Sequence, residues 1–348
     1  MAADNPAGLL PPIGGFFELH EPALMATGPS VLEAWSGGRP FAAFANARAA
    51  FAALAAMLPA ATVWLPAFLC RDLVDPTFGA RIQFYPVEDG FAPELARVEA
   101  RADPGDLVLL VAHFGLPVGP GARAFARRRR DLRIVEDRAQ ALGPGLDSCG
   151  GYQLFSPRKL LGVADGGILV APDTEAPMPQ PSAMADETAL WRAPLLRHAD
   201  PPGADNAQWH AANQTKEAAM TIAPEAITER SLAILSETPI APLAAARLAN
   251  WRLLDARLRR WSALPADPQA PPLGYVLRLE PDVRDRLLAA LHAERIFAAV
   301  HWPQIAGPAA DFPRETGWTR ELLTLPCDHR YGEAEMLRIS DRVMKVLR

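Results

Sequence analysis

The stretch YQLFSPRKLLGVADGGILVA, Tyr152 to Ala171, decides how this chain is read. Lys159 stands in it between a short apolar run and the pair Gly166-Gly167, and it is one of three lysines among 348 residues, with Lys216 and Lys345. Arginine supplies nearly all the other positive charge, so a lysine kept here points to a task that arginine cannot do. Imine chemistry is such a task, because only an amine that can lose its proton attacks a carbonyl. A solvated charge after a strand is the plain alternative, and Lys159 alone does not exclude it.

About twenty residues upstream lies RIVEDRAQALG, Arg133 to Gly143, an apolar run ending in Glu136-Asp137 with Gln140 three positions beyond. Taken singly, Asp137 reads as a helix cap or turn residue. Together with Lys159 it gives the pair that a pyridoxal phosphate site needs, an amine for the aldehyde and a carboxylate facing the ring nitrogen. At about 3 Å and an effective dielectric of about 20, such a carboxylate interacts with a cationic ring by roughly 5 kcal/mol, enough to keep the pyridine protonated.

VEDRAQALG resembles the EDAAQALG signature of the DegT/DnrJ/EryC1/StrS aminotransferases, fold-type I pyridoxal phosphate enzymes, and Lys159 to Gly166-Gly167 is similar to that family's K…GEGG stretch. Further similar segments are NARAAF (Asn46 to Phe51), VWLPAFLC (Val63 to Cys70), HFGLP (His113 to Pro117), IFAAVHWP (Ile296 to Pro303) and LTLPCDHRY (Leu323 to Tyr331). The resemblance therefore runs along nearly the whole chain.

It implies a role for each matching residue. Lys159 carries the cofactor and shuttles a proton, with Asp137 on the ring nitrogen and Gln140 toward the ring's 3-oxygen. The phosphate is expected at the start of a helix, where backbone N–H groups and the dipole favour an anion. Ala47 and Arg48, after Asn46, match that place, with the Arg48 side chain either adding charge or pointing away. Ser156 is a second phosphate ligand, although its interval to Lys159 is three residues where the family has five. Either Phe68 or Cys70 stacks on the ring, His301 contacts substrate, and His113 is a weaker candidate. The segment from which the sugar aminotransferases send an asparagine to the partner subunit's phosphate has no counterpart, Asn213 being the nearest substitute.

Apolar runs of strand length alternate with segments of helical period through the first half. Strands are predicted at Thr62 to Leu65, Arg81 to Val87, Leu107 to Ala112, Leu132 to Glu136, Tyr152 to Phe155 and Ile168 to Ala171, and helices at Ala45 to Leu58, Pro93 to Arg101 and Gly121 to Arg130. That order implies an α/β fold with a mostly parallel sheet covered by helices. After a Pro-rich connector, Ala171 to Pro181, helices are predicted at Asp186 to Arg197, Ala207 to Ile222, Pro224 to Leu235 and Pro239 to Trp261. A smaller α+β part follows, with strands at Tyr275 to Leu279 and near Phe297 to His301 and helices at Pro281 to Glu294 and from Glu333. The expected division is a large cofactor-binding domain with an N-terminal arm over 1–238, then a linking helix and small C-terminal domain over 239–348.

A formal net charge of −5 gives no field to gather nucleic acid, and the run Arg127 to Arg130 reads as a solvated helix face. Cys70, Cys149 and Cys327 are too few and scattered for a disulfide framework or a metal site. With no secretory signal and no membrane span in the sequence, the expectation is a cytoplasmic protein. The leading reading is a homodimeric aminotransferase moving an amino group from an amino acid, glutamate first, to a keto acceptor, a keto sugar first and on a nucleotide carrier in the family pattern. A pyridoxal phosphate-dependent dehydratase, or a non-catalytic protein of the same fold, is the alternative.

Overall fold

The structure, a computed structural model, describes residues 10–21, 27–74, 79–143 and 146–348, so the first nine residues of the expected arm lie outside the described residues. The strands are β1 (Ile13–Gly14), β2 (Phe41–Phe44), β3 (Thr62–Pro66), β4 (Arg81–Tyr85), β5 (Leu107–Val111), β6 (Arg133–Asp137), β7 (Tyr152–Phe155) and β8 (Gly167–Val170). They continue with β9 (Ala183–Met184), β10 (Glu225–Ala226), β11 (Tyr275–Arg278), β12 (Ile296–Phe297) and β13 (Leu322–Leu325). The helices are α1 (Val31–Ser36), α2 (Ala47–Met57), α3 (Ala96–Arg101), α4 (Gly119–Arg128), α5 (Glu187–His198) and α6 (Asn206–Ala219). After them come α7 (Glu229–Glu237), α8 (Ile240–Leu258), α9 (Pro281–Ala293), α10 (Pro313–Glu321) and α11 (Glu333–Leu347).

One nine-stranded sheet has the order β4-β3-β5-β6-β7-β8-β2-β10-β9. Strands β4, β3, β5, β6 and β7 are parallel, and β8 then runs antiparallel between β7 and β2. All five residues of β5, LVLLV, are buried. Leu107, Leu109 and Val111 pack with Phe51 and Leu54 of α2 on one face, while Val108 and Leu110 meet Val98 of α3 and Ala122 and Phe125 of α4 on the other. Helices on both faces explain why the run is apolar without alternation.

The C-terminal part pairs β11 with β13 and packs them with α8, α9 and α11. The two-residue β1 pairs with β12, tying the start of the chain to its last quarter. No described helix is long and apolar enough to cross a membrane.

Two expectations need correcting, and several elements lie outside the predicted set. The helix predicted at Pro224 to Leu235 is instead β10 followed by α7, because Thr228 caps α7 and Asp165, distant in sequence, accepts from both the Thr228 N–H and its hydroxyl at 2.8 Å. The strand near Phe297 to His301 shrinks to β12, which exists as the partner of β1. Strand β2, FAAF, is only four residues long and is not among the predicted strands; it is held by antiparallel pairing with β8. Helices α1 and α10 and strand β13 were likewise not anticipated.

The Gly166-Gly167 pair has a steric cause. A side chain on Gly167 would run into the backbone of Asn46 and Ala47 at the start of α2, and Gly166, at φ +129°, lies against Pro157 in the turn that carries Lys159. The pair thus lets β8 sit flush against both. Gly167→Ala should cost about 1–3 kcal/mol by forcing α2 outward, read as a lower midpoint in urea unfolding.

A second fixed point joins the chain ends. Arg330 bonds Asp328 at 2.8 Å and the half-buried Glu18 of the N-terminal segment at 2.9 Å, with Arg330 and Asp328 themselves little exposed. Burial by itself would raise the Asp328 pKa, but the Arg330 guanidinium holds it well below the usual carboxylate range. A depressed carboxylate stabilises the fold above its unfolded pKa of about 4 and loses that contribution as pH falls toward its folded value. Stability should therefore decline below about pH 4. Asp328→Asn should flatten that acid limb and cost about 3 kcal/mol at pH 7, since Arg330 is left buried with one carboxylate partner, Glu18.

Candidate active site

The parallel strands β3, β5, β6 and β7 end along one edge of the sheet, and β2, antiparallel to β8, ends there too. The segments just past those ends enclose a cleft of about 810 Å³, counted out to its open mouth. Ligands collect at this edge in open α/β sheets. Asn46, Ala47 and Arg48 line the cleft after β2, Cys70 and Asp72 after β3, Asp137 and Gln140 at the end of β6, and Ser156, Arg158 and Lys159 after β7.

Lys159 and Asp137 thus face one cavity. Lys159 is exposed, and the surface it exposes lies in the cleft, within the influence of Asp137, Arg158, Cys70 and Glu217. Burial among protein atoms lowers its pKa, with Asp137 opposing. Asp137 is buried, and burial raises its pKa, opposed by Lys159 and by the Ala139 N–H that donates to its Oδ1 at 2.8 Å. Both groups are pushed toward neutrality by loss of water, the condition under which an added cation beside Asp137 is favoured.

Ser156 and Lys159 reach the same cavity because Pro157–Lys159 forms a 3₁₀ turn. With three residues per turn, side chains at i and i+3 eclipse, so an interval of three serves. Ser156 is 2% exposed, and among the described residues its hydroxyl makes no hydrogen bond.

Asn46 caps α2, its Oδ1 accepting from Ala49 N–H at 3.0 Å while its Nδ2 donates to the Thr221 carbonyl at 2.9 Å. The other N–H groups of the first turn have no intrahelical acceptor. The Arg48 guanidinium donates to the Met220 carbonyl at 3.2 Å and lies 4.0 Å from Asp72. Gln140 is buried in a turn, where its Oε1 accepts from Phe114 N–H at 2.6 Å and leaves the Nε2 end for the cavity.

Phe68 does not line the cleft; it is fully buried, edge-on to Trp302 and Trp318 at 5.1 Å. Of the two candidates for stacking, Cys70 is the one on the wall, and burial raises its thiol pKa. The flat group on the wall is Trp302, which the sequence reading passed over although it adjoins His301. His301 is not among the lining residues. Its Nδ1 lies 3.0 Å from Thr324 Oγ1, and burial, then the Lys159 charge, lowers its pKa to about 4. His113 lies 2.8 Å from the Phe68 carbonyl and is likewise lowered by burial to about 4, away from the site. Asn213 lines a different pocket, with Phe16 and Trp209. Glu217, from α6, completes the wall, and nothing in the sequence marked it.

The residues present fit pyridoxal phosphate. They offer a buried carboxylate with one oxygen free of hydrogen bonds, an amine in reach of the same space, a helix start for an anion and an unpartnered buried hydroxyl beside it. Among the described residues no cluster could hold a metal ion.

No model of a protein family matches the chain. The UDP-N-acetyl-3-dehydro-alpha-D-glucosamine 3-aminotransferase of Acidithiobacillus ferrooxidans is 40% identical over 108 residues, a match covering 28% of this chain and 29% of that protein. The structure is similar to DesV of S. venezuelae, with a TM-score of 0.66 and 20% identity over 92% of this chain and 90% of the other. It is also similar to a DegT DnrJ EryC1 StrS aminotransferase from Brucella abortus, with a TM-score of 0.62 and 21% identity over 90% and 87% of the two chains. The chain therefore has the fold of the fold-type I pyridoxal phosphate-dependent aminotransferases of the DegT/DnrJ/EryC1/StrS type.

Proposed function

We propose that this chain is a pyridoxal phosphate-dependent aminotransferase that takes an amino group from an amino acid, glutamate first, and places it on the keto group of a nucleotide-linked sugar. The observation that carries the reading is the convergence of Lys159, Asp137, Ser156 and the start of α2 on one cleft. The sugar acceptor is supported by the name of the partial relative from Acidithiobacillus ferrooxidans.

Pyridoxal phosphate, when bound, supplies an aldehyde that captures amines reversibly and a ring that withdraws electrons. Lys159 Nζ would hold the aldehyde carbon, the free Asp137 oxygen the ring nitrogen, Gln140 Nε2 the 3-oxygen, and the start of α2 with Ser156 Oγ the phosphate. Beside a cationic ring N–H the Asp137 carboxylate would be held in its charged form, against the upward push of burial. Lys159, its amine pKa lowered by burial, takes a proton from the substrate's α-carbon side of the cleft and returns it. Trp302 and Cys70 narrow the cleft and limit water. The same reading has two copies working as a homodimer, the second covering the open mouth of each cleft; it keeps residues 1–238 as the cofactor-binding domain and 239–348 as the smaller one.

With added pyridoxal phosphate the purified protein should acquire an absorbance band in the near-ultraviolet or visible, and glutamate should bleach it. Lys159→Ala should abolish the band. A band that no amino donor bleaches would remove the transaminase reading and leave the dehydratase or non-catalytic alternatives. Asp137→Asn should keep the band but slow turnover at least about a hundredfold, since the ring nitrogen loses its counter-charge. Turnover within tenfold of the parent would show that Asp137 does not face the ring.

A further inference from the structure

Among the described residues two arginines line the cleft, Arg48 and Arg158. The first is engaged by the Met220 carbonyl and Asp72. Arg158 is less settled. Its Nη1 donates to Glu217 Oε1 at 2.5 Å, but its Nε is shut away from solvent without an acceptor, and Nη2 makes no hydrogen bond among the described residues. A planar guanidinium is matched by two oxygens in parallel, and here it has one.

Its position says which oxyanion would complete it. Arg158 sits between Ser156 and Lys159 in the 3₁₀ turn, on the wall that also holds the start of the eleven-residue α2. Ser156, nearly wholly buried with an unpartnered hydroxyl, and the first-turn N–H groups of α2 mark where an anion is received. Glu217 is in turn 3.7 Å from Lys216, whose Nζ donates to the Ala164 carbonyl at 3.3 Å, so the carboxylate that orients Arg158 is itself fixed from behind.

We propose that Arg158 is a further phosphate-binding residue of this cleft, its guanidinium donating to a phosphate monoester at the start of α2 while Glu217 holds it from the other side. As applied to the cofactor, this rests on the pyridoxal phosphate reading; as applied to the anion, it stands on the cleft alone. The geometry also sets an opposite sign for the two partners. Removing Arg158 takes away a donor to the anion, whereas Glu217→Gln keeps an amide oxygen for Arg158 Nη1 and takes away a like charge near the phosphate.

The test titrates inorganic phosphate, against chloride at equal ionic strength, into cofactor-free protein and reads the thermal midpoint. It is followed by the relative affinities for pyridoxal phosphate and unphosphorylated pyridoxal, read by quenching of intrinsic fluorescence. Arg158→Gln should weaken phosphate and pyridoxal phosphate binding by about ten- to a hundredfold, the size of a charge-assisted hydrogen bond, and leave pyridoxal unchanged. Glu217→Gln should tighten phosphate binding. Should Arg158→Gln fail to fold, the sign of the Glu217→Gln effect decides. The proposal is overturned if the parent protein is not stabilised by phosphate, if Arg158→Gln weakens both pyridoxal forms equally, or if Glu217→Gln weakens phosphate binding, which would make the pair a structural strut. A parent protein that binds phosphate through Arg158 yet binds no pyridoxal phosphate would sink the cofactor reading and keep the anion site.

Discussion

An amine and a carboxylate share one cleft at the carboxyl edge of a parallel sheet, and the rest of the architecture follows from keeping them there. Burial pushes Lys159 and Asp137 each toward its neutral form, and their mutual attraction only partly offsets that. Placing such groups in the core would be ruinous unless something else were to occupy the space between them. They are tolerable at a strand edge, where the backbone is already committed to the sheet and the loops beyond are free to form walls.

Two buried carboxylates away from the cleft are bonded on both oxygens, which sharpens the contrast. Asp165 accepts from Thr228 and Ser231, and Asp328 pairs with Arg330. In the cleft the pattern reverses, with a carboxylate bonded on one oxygen, a hydroxyl without a partner, a helix start facing open space and a guanidinium half matched. Unsatisfied groups that converge on one cavity are what a ligand-shaped gap looks like from the protein side.

The walls come from places far apart in sequence. Trp302 is braced by Phe68, and Phe68 by Phe91, Phe114, His113 and Trp318, so an aromatic cluster from five segments sets one side of the cleft. The end of α6 sets another. Thr221 and Met220 just beyond it bond Asn46 and Arg48, and Glu217 bonds Arg158, so one helix terminus latches both the α2 start and the lysine turn.

Much of this was legible in the chain itself. The apolar runs of β3, β5 and β6 are short and separated by segments of helical period, which by itself implies a covered parallel sheet and places Asp137 at a strand end. The rarity of lysine singled out Lys159, and the glycine pair after it supported the resemblance. These are local signals, because burial on both faces and the need for a deprotonatable amine act on individual residues. Tertiary structure alone decided the rest. Strand β2 and the two-residue β9 and β10 are too short to stand out and exist through pairing; Phe68 was drawn into the core while Trp302 took the wall; and Glu217, 58 positions after Lys159, became its neighbour. Which side chain faces a cavity depends on how separate elements pack against one another, and that geometry leaves no mark in the order of residues along either element.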